Sequence, residues 1–301
     1  MGLSDTQVSF LSQKASYAWD RVIMSEIFRG GFFRRIGLIL LGGLGKYVSP
    51  TINSERLASL IQRVRPVSSP FPLVRIGGPG DGGYLVPDDL KGIAACFSPG
   101  VADTASFELG MAEFSIPSFM ADYSVDGPPV SSSLFSFEKL FLATHSDGKK
   151  FVRLEDWVTQ NAPSDGDLIL QMDIEGSEWP VLLDTPEQIL KRFRIMVIEF
   201  HDLDQMMTTT LGAEVFSTLL DKLSRHFKVL HLHANNAGGV HKSRGQIIPR
   251  VIELTFLRSD RFNLSSEKYP ASMPHPLDKP NMPWGQEIRL SGPWRPATDA
   301  S

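Results

Sequence analysis

Short apolar runs that end in an acid or an imidazole, alternating with stretches at helical spacing, constrain this chain more than any other feature. Asp167-Leu168-Ile169-Leu170-Gln171-Met172-Asp173 is apolar at neighbouring positions, which predicts a strand buried on both faces and ending in acid. Trp179 to Phe193 reads as a helix broken early by Pro186. Ile195 to Glu199 is a second such strand, again closing on an acid, and Val215, Phe216, Leu219, Leu220 and Leu223 then recur at helical spacing. Phe227 to His233 and Val251 to Leu257 supply two further strands. Upstream, Ile93 to Ser98 and Ser118 to Asp122 read as short strands around a helix near Thr104 to Phe114. Alternation of this kind predicts right-handed crossovers and a largely parallel sheet. The last strand follows its predecessor through a loop holding Gly238, Gly239 and Gly245, with no helix between, so it is expected to enter antiparallel as a hairpin. The expected fold is α/β: a doubly wound, mostly parallel, Rossmann-like seven-stranded sheet with an antiparallel edge hairpin.

The 301 residues are enough for one large α/β domain with additions. Residues 1–65 are expected to form a helical N-terminal extension and residues 66–262 the α/β domain. Residues 263–301 are expected to be an irregular tail, because its prolines, from Pro270 to Pro296, cannot lie inside regular helices. A formal net charge of -4 shows no basic excess, so nucleic acid is not an expected partner. The single cysteine, Cys96, cannot close an intrachain disulfide and lies in an apolar run. It reads as a small core residue, compatible with a reducing compartment and a cytoplasmic location.

No stretch approaches the roughly 18 apolar residues needed to span a bilayer. The nearest candidate is Ile36 to Leu44, preceded by Arg34 and Arg35. Three readings stay open for it: a helix docked on the main domain, a contact with a second copy in a homodimer, and an amphipathic contact with a membrane surface. The start, Met1-Gly2-Leu3-Ser4-Asp5-Thr6, also fits the loose myristoylation pattern.

In an open α/β sheet, ligands bind outside the carboxyl ends of the strands. Those ends read Ser98-Pro99-Gly100, Asp122, Asp173-Ile174-Glu175-Gly176-Ser177-Glu178, Glu199-Phe200-His201-Asp202 and His233-Ala234-Asn235-Asn236. Together they predict a binding cleft, although helix caps favour the same residue types. Gly100 would let a cofactor approach the backbone. Asp122, about 20 residues beyond the first strand, stands where an acid commonly accepts ribose hydroxyls, its alternative being a turn residue. Neither G-x-G-x-x-G nor G-x-x-x-x-G-K-[ST] occurs. In the segment Gly77 to Tyr84, the glycines with Asp81 suit either a tight hairpin or a loop whose amides meet a cofactor carboxylate. The second reading makes Gly78, Asp81, Gly83 and Tyr84 candidates. Asp173, Glu199, His201, His233 and Asn235 form a plausible ligand set for Mg²⁺ or Mn²⁺. His226 and His241 stand apart from these groups and are expected to be solvated.

Leu170-Gln171-Met172-Asp173-Ile174-Glu175-Gly176-Ser177-Glu178 resembles the K-I-D-V-E-G-x-E signature of FkbM-type methyltransferases, with glutamine where that family often has lysine. Leu154-Glu155-Asp156-Trp157 is similar to its T-L-D element, which adds Asp156 to the cofactor candidates, and the likeness covers about residues 74 to 260. It implies a class I methyltransferase fold and transfer of a methyl group from S-adenosylmethionine to oxygen on a sugar, glycoconjugate or small natural product. The expected cofactor contacts are Gly78, Asp81, Gly83, Tyr84, Ser98, Gly100, Asp122, Asp156 and Asp173. His201 is the expected general base because an imidazole titrates near neutrality. Asp173 would orient the acceptor or sit near the sulfonium, and Glu175 and Glu178 flank the same turn. Two rival functions stay open: a non-catalytic binding protein that keeps the sheet, and a membrane-surface protein using Phe32 to Val48.

Overall fold

The computed structural model describes residues 49–262 and 272–295. Contacts divide the chain into Met1–Pro50 and Thr51–Ser301, and everything below belongs to the second unit. The first 48 residues of the expected helical extension, with the Phe32 to Val48 segment and the acylation start, lie outside the described residues.

In chain order, helix α1 (Ser54–Gln62) precedes strands β1 (Leu73–Ile76), β2 (Tyr84–Pro87) and β3 (Ile93–Pro99). Helix α2 (Ser106–Glu113), β4 (Ser118–Ala121), β5 (Phe135–Glu138), β6 (Phe141–Leu142), β7 (Phe151–Val152) and α3 (Leu154–Asn161) follow. Then come β8 (Asp167–Met172), α4 (Glu178–Asp184), α5 (Glu187–Leu190), β9 (Phe193–Phe200), α6 (Leu203–Thr208) and α7 (Thr210–Ser224). The last elements are β10 (Phe227–Ala234), β11 (Val240–Ser243), β12 (Gln246–Pro249) and β13 (Ile252–Arg258).

Seven strands form the main sheet in the order β10-β13-β9-β8-β3-β4-β5. The pairs β9–β8, β8–β3, β3–β4 and β4–β5 are parallel. Strand β13 runs antiparallel to both neighbours, β10 and β9. Without β13 this is the doubly wound order 3-2-1-4-5-6, whose switch point falls between β3 and β8. The antiparallel strand is therefore slotted inside the edge, with β10 outermost. The glycine-rich connection that was expected to be a plain loop carries its own hairpin, β11–β12.

Burial on both faces is direct. Along β8, Leu168, Leu170 and Met172 join the larger core, while Ile169 joins the opposite one. Along β9, Met196, Ile198 and Phe200 face the first core and Ile195 and Val197 the second. The larger core centres on Phe97, edge-on to Trp157 at 5.0 Å and to Phe193 at 6.2 Å between ring centroids. Cys96 is buried in the other layer, and burial pushes its thiol well up, as a core residue requires.

Helix α7 places Phe216, Leu219, Leu220 and Leu223 against the larger core and starts on Thr209, whose side chain accepts from the Gly212 N–H at 3.0 Å. Helix α1 is capped likewise by Asn53 and buries Leu57, Leu60 and Ile61 in that core. The described part of the tail is irregular, as its prolines predict, with one 3₁₀ turn at Gly292–Trp294. It is nonetheless docked: Trp294 is buried and its indole N–H donates to the Ile247 carbonyl at 2.9 Å. His226, expected to be solvated, is half-buried with Nε2 2.8 Å from Glu187. Among the described residues, no helix is long and apolar enough to cross a membrane.

Candidate functional site

A cleft of two lobes opens at the carboxyl ends of β3, β4 and β8, at the switch point of the sheet. The larger lobe, about 540 Å³, is lined by Asp122, Ser124, Phe141, Leu142, His145, Phe151 and Ile174, among others. The smaller lobe, about 190 Å³, is polar and includes Asp81, Gly82, Tyr84, Thr104, Ser106, Glu108 and Gln171. Gly100, Ala102, Asp173 and Glu175 line both, so the two lobes share a seam. Helix α2 starts beside the polar lobe with no side chain capping it, which leaves first-turn N–H groups and the positive end of its dipole there.

Backbone geometry at the seam is specialised. Non-glycine residues take left-handed φ values after β3 (Ala102, 46°), β8 (Glu175, 54°) and β9 (Asp202, 53°). Such conformations cost free energy and cluster where a loop must aim a group. Gly100 sits at φ 89°, and a Cβ there would lie 1.5 Å from the Asp173 carbonyl oxygen. Its glycine is thus demanded by the crossing of two loops, independently of any ligand.

Asp122 is buried at the end of β4. Its Oδ2 accepts from the Ala102 N–H at 2.9 Å, and its Oδ1 accepts from the Ser124 N–H and hydroxyl, both at 2.7 Å. A carboxylate offers about four acceptor positions, so one is free until the Ser124 hydroxyl turns away. Asp156 is exposed on α3 and accepts from Ser146 Oγ at 2.6 Å. It braces the segment beside His145 and does not line either lobe.

The densest electrostatics surround His201. Its Nδ1 lies 3.2 Å from Glu178 Oε1, and its Nε2 lies 3.4 Å from Glu175 Oε2 and 3.8 Å from both Asp173 Oδ1 and Glu199 Oε1. Glu178 is wholly buried and accepts from the Ile174 N–H at 2.9 Å and the Gly176 N–H at 3.0 Å, so it fixes the turn that carries Glu175. Burial pushes the Asp173 carboxyl up to about 7, with Glu175 and Glu178 adding to the rise and His201 opposing it. Burial, then Asp173, raises Glu199 well above the carboxylate range. Burial alone would lower His201, but Glu178, Asp173 and Glu175 outweigh it and hold the imidazole up at about 9. His201 therefore carries a proton at neutral pH in this arrangement, which does not suit the general-base role expected of it.

The hairpin loop between β1 and β2 closes on itself. A Cβ on Gly83 would lie 2.1 Å from the Gly78 carbonyl oxygen, and Arg75 donates to the carbonyls of Gly78 at 2.8 Å and Gly80 at 2.9 Å. Gly78 and Gly83 shape the loop, while Asp81, Gly82 and Tyr84 line the polar lobe. Beneath them runs a buried polar chain: Ser98 Oγ bonds Glu108 and lies 2.5 Å from Gln171 Oε1, and Gln171 Nε2 reaches Tyr84 Oη at 3.5 Å. Burial raises the Glu108 carboxyl, while the hydrogen bond from Ser98 works against the rise.

Of the proposed ligand set, the structure brings together Asp173, Glu199 and His201, with one ligand atom from each within 4.8 Å of the others. Asn235 instead donates to Glu199 Oε1 at 2.8 Å. His233 leaves the set: its Nδ1 lies 3.1 Å from Glu253 and its Nε2 2.8 Å from Glu287. Sequence reasoning missed Glu253, Asn281 and Glu287. Glu253 was signalled by an acid inside an otherwise apolar strand, whereas Asn281 and Glu287 come from the tail with no local signal. It also missed the Phe141 to His145 wall of the larger lobe. No family model and no curated protein matches the chain.

Proposed function

We propose that this cleft binds S-adenosylmethionine and that the protein transfers its methyl group to a hydroxyl. The observation that carries the reading is the two-lobed cleft at the sheet's switch point, apolar and aromatic on one side, polar on the other, joined at Gly100 and Asp173. The adenine ring suits the wall of Phe141, Leu142 and Phe151, and the ribose hydroxyls suit Asp122 once Ser124 Oγ yields its place. The amino-acid end suits the polar lobe, where its carboxylate would meet the uncapped start of α2.

In the transfer, a lone pair of the acceptor oxygen forms the new C–O bond as the C–S bond breaks. That bonding pair stays on sulfur, giving a neutral thioether, and the hydroxyl proton leaves to a base. Asp173, titrating at about 7 and lining both lobes, is better matched to that role than the protonated His201, whose Nε2 lies 3.8 Å from it. The likeness of Leu170–Glu178 to FkbM-type enzymes supports an acceptor hydroxyl on a sugar, glycoconjugate or small natural product. Calorimetric titration with S-adenosylmethionine and with its demethylated product tests the reading. One saturable site that both ligands compete for is expected, and no heat from either would sink it.

A further inference from the structure

We infer that Asp173, Glu199 and His201 form a binding site for a divalent cation that accepts mixed oxygen and nitrogen ligation, Mn²⁺ ahead of Mg²⁺. The inference stands without the methyl-transfer reading, because it rests on these side chains alone.

Two carboxylate oxygens here, Asp173 Oδ1 and Glu199 Oε2, are buried without a hydrogen-bond partner. The Glu199 side chain is only 5% exposed, so water does not serve it from outside. Other buried acids of the described residues are satisfied. Asp89 pairs with Arg194 and Arg261, Glu253 with His233 and Asn281, and Glu178 with backbone N–H groups. Of the orphaned oxygens, Asp173 Oδ1 lies 3.8 Å from the imidazole Nε2. Glu199 faces that nitrogen at 3.8 Å with Oε1, which Asn235 holds, and its Oε2 is left over, with no Lys or Arg among the described residues paired to either acid. An unpaired buried carboxylate is costly, and a second one beside it more so, which a dication at this point would offset.

Geometry agrees. Adjacent ligands of a six-coordinate cation lie about 3 Å apart and opposite ones about 4 Å. The three donor atoms fall within 4.8 Å of one another, a spacing that sub-ångström side-chain rotations close. Two of the ligands are also fixed by neighbours: Asn235 Nδ2 holds Glu199 Oε1 at 2.8 Å, and Glu178 holds His201 Nδ1 at 3.2 Å, so that a cation would bind Nε2 by displacing the imidazolium proton from it. Two carboxylates with one imidazole favour Mn²⁺ over Mg²⁺, which prefers oxygen throughout, and over Zn²⁺, which favours more nitrogen or sulfur. Asp173 lines both lobes, so the open face of the site meets the cleft.

The test uses the full chain stripped with EDTA, with no S-adenosylmethionine present. Free Mn²⁺ is followed by electron paramagnetic resonance as the protein is titrated. One bound Mn²⁺ per chain is expected, with affinity lowered tenfold or more in Asp173→Asn and in Glu199→Gln. Melting curves in EDTA check folding: Glu199→Gln should be at least as stable as wild type, and Mn²⁺ should raise the melting temperature of wild type alone. No bound Mn²⁺ in wild type, undiminished binding in both variants, or binding of Zn²⁺ without Mn²⁺ would each overturn the assignment. Because the cofactor is absent from this titration, its outcome separates from that of the methyl-transfer reading.

Discussion

Replacing Glu178 by glutamine isolates what holds the turn after β8. The wild-type carboxylate is fully buried, and its Oε1 serves the Ile174 N–H, the Gly176 N–H at 3.2 Å and His201 Nδ1, while Oε2 serves the Gly176 N–H at 3.0 Å. A glutamine keeps most of these by placing its oxygen at Oε1, which turns its NH₂ toward the Gly176 N–H, donor against donor. Losing one bond to a charged acceptor costs about 1.5–3 kcal/mol, and the remaining bonds weaken as the charge disappears. Neutralising Glu178 relieves its repulsion of Asp173 but also removes its attraction to the imidazolium 3.2 Å away, and these two effects oppose each other. The net expectation is a loss of about 2 kcal/mol in urea unfolding. Glu178→Ala, which strands every donor, should cost about 3–5 kcal/mol. Hydrogen exchange adds the local reading: the Ile174 and Gly176 amides should lose protection while the core strands keep theirs. A glutamine variant of wild-type stability, with both amides still protected, would refute the claim that Glu178 organises this turn.

Two further outcomes follow from the same geometry. Gly100→Ala should cost about 3 kcal/mol or more, because its Cβ meets the Asp173 carbonyl at 1.5 Å, whereas Gly148→Ala, at φ 69° with nothing within 4 Å, should cost only about 1 kcal/mol. Equal losses in the two variants, measured by denaturant midpoint, would contradict the crossing of loops at Gly100. His233 is held up at about 10, burial working against its charge and Glu253 and Glu287 outweighing it. A raised pKa stabilises the fold fully below the unfolded value near 6.5, and that contribution is lost as pH rises through about 10. Wild type should therefore exceed His233→Gln by up to about 4–5 kcal/mol at pH 6. The gap should narrow steadily toward pH 10, and a gap independent of pH would dismiss the ion pairs.

Most of the sheet was legible because its strands carry local evidence. Asp167 to Met172 and Phe193 to Phe200 are apolar on both faces, and that composition suits little else than a buried parallel strand. The slot taken by β13 was not legible, since insertion between β9 and β10 depends on pairing partners distant in sequence. The short β5, β6 and β7 were missed for want of length, and with them the Phe141–Phe151 wall. At the site, acids at strand ends pointed to Asp122, Asp173 and Glu199, because position along a strand is readable. What each carboxylate bonds was not readable. His233 and Asn235 sit two residues apart on one strand end, yet the tail's Glu287 claims the first and Glu199 the second. The glycines of the β1–β2 loop signalled a backbone demand without saying whose, and the structure assigns Gly78 and Gly83 to the loop around Arg75.

The account turns on whether the cleft takes S-adenosylmethionine through Asp122, and calorimetric titration of wild type, Asp122→Asn and Ser124→Ala decides it. Because Asp122 has one acceptor position free until Ser124 Oγ moves, wild type should bind at one site and Asp122→Asn should lose tenfold or more in affinity. Ser124→Ala should bind as tightly as wild type or tighter. Absence of binding in wild type, or binding that Asp122→Asn leaves untouched, would contradict the account and assign this cleft to another ligand.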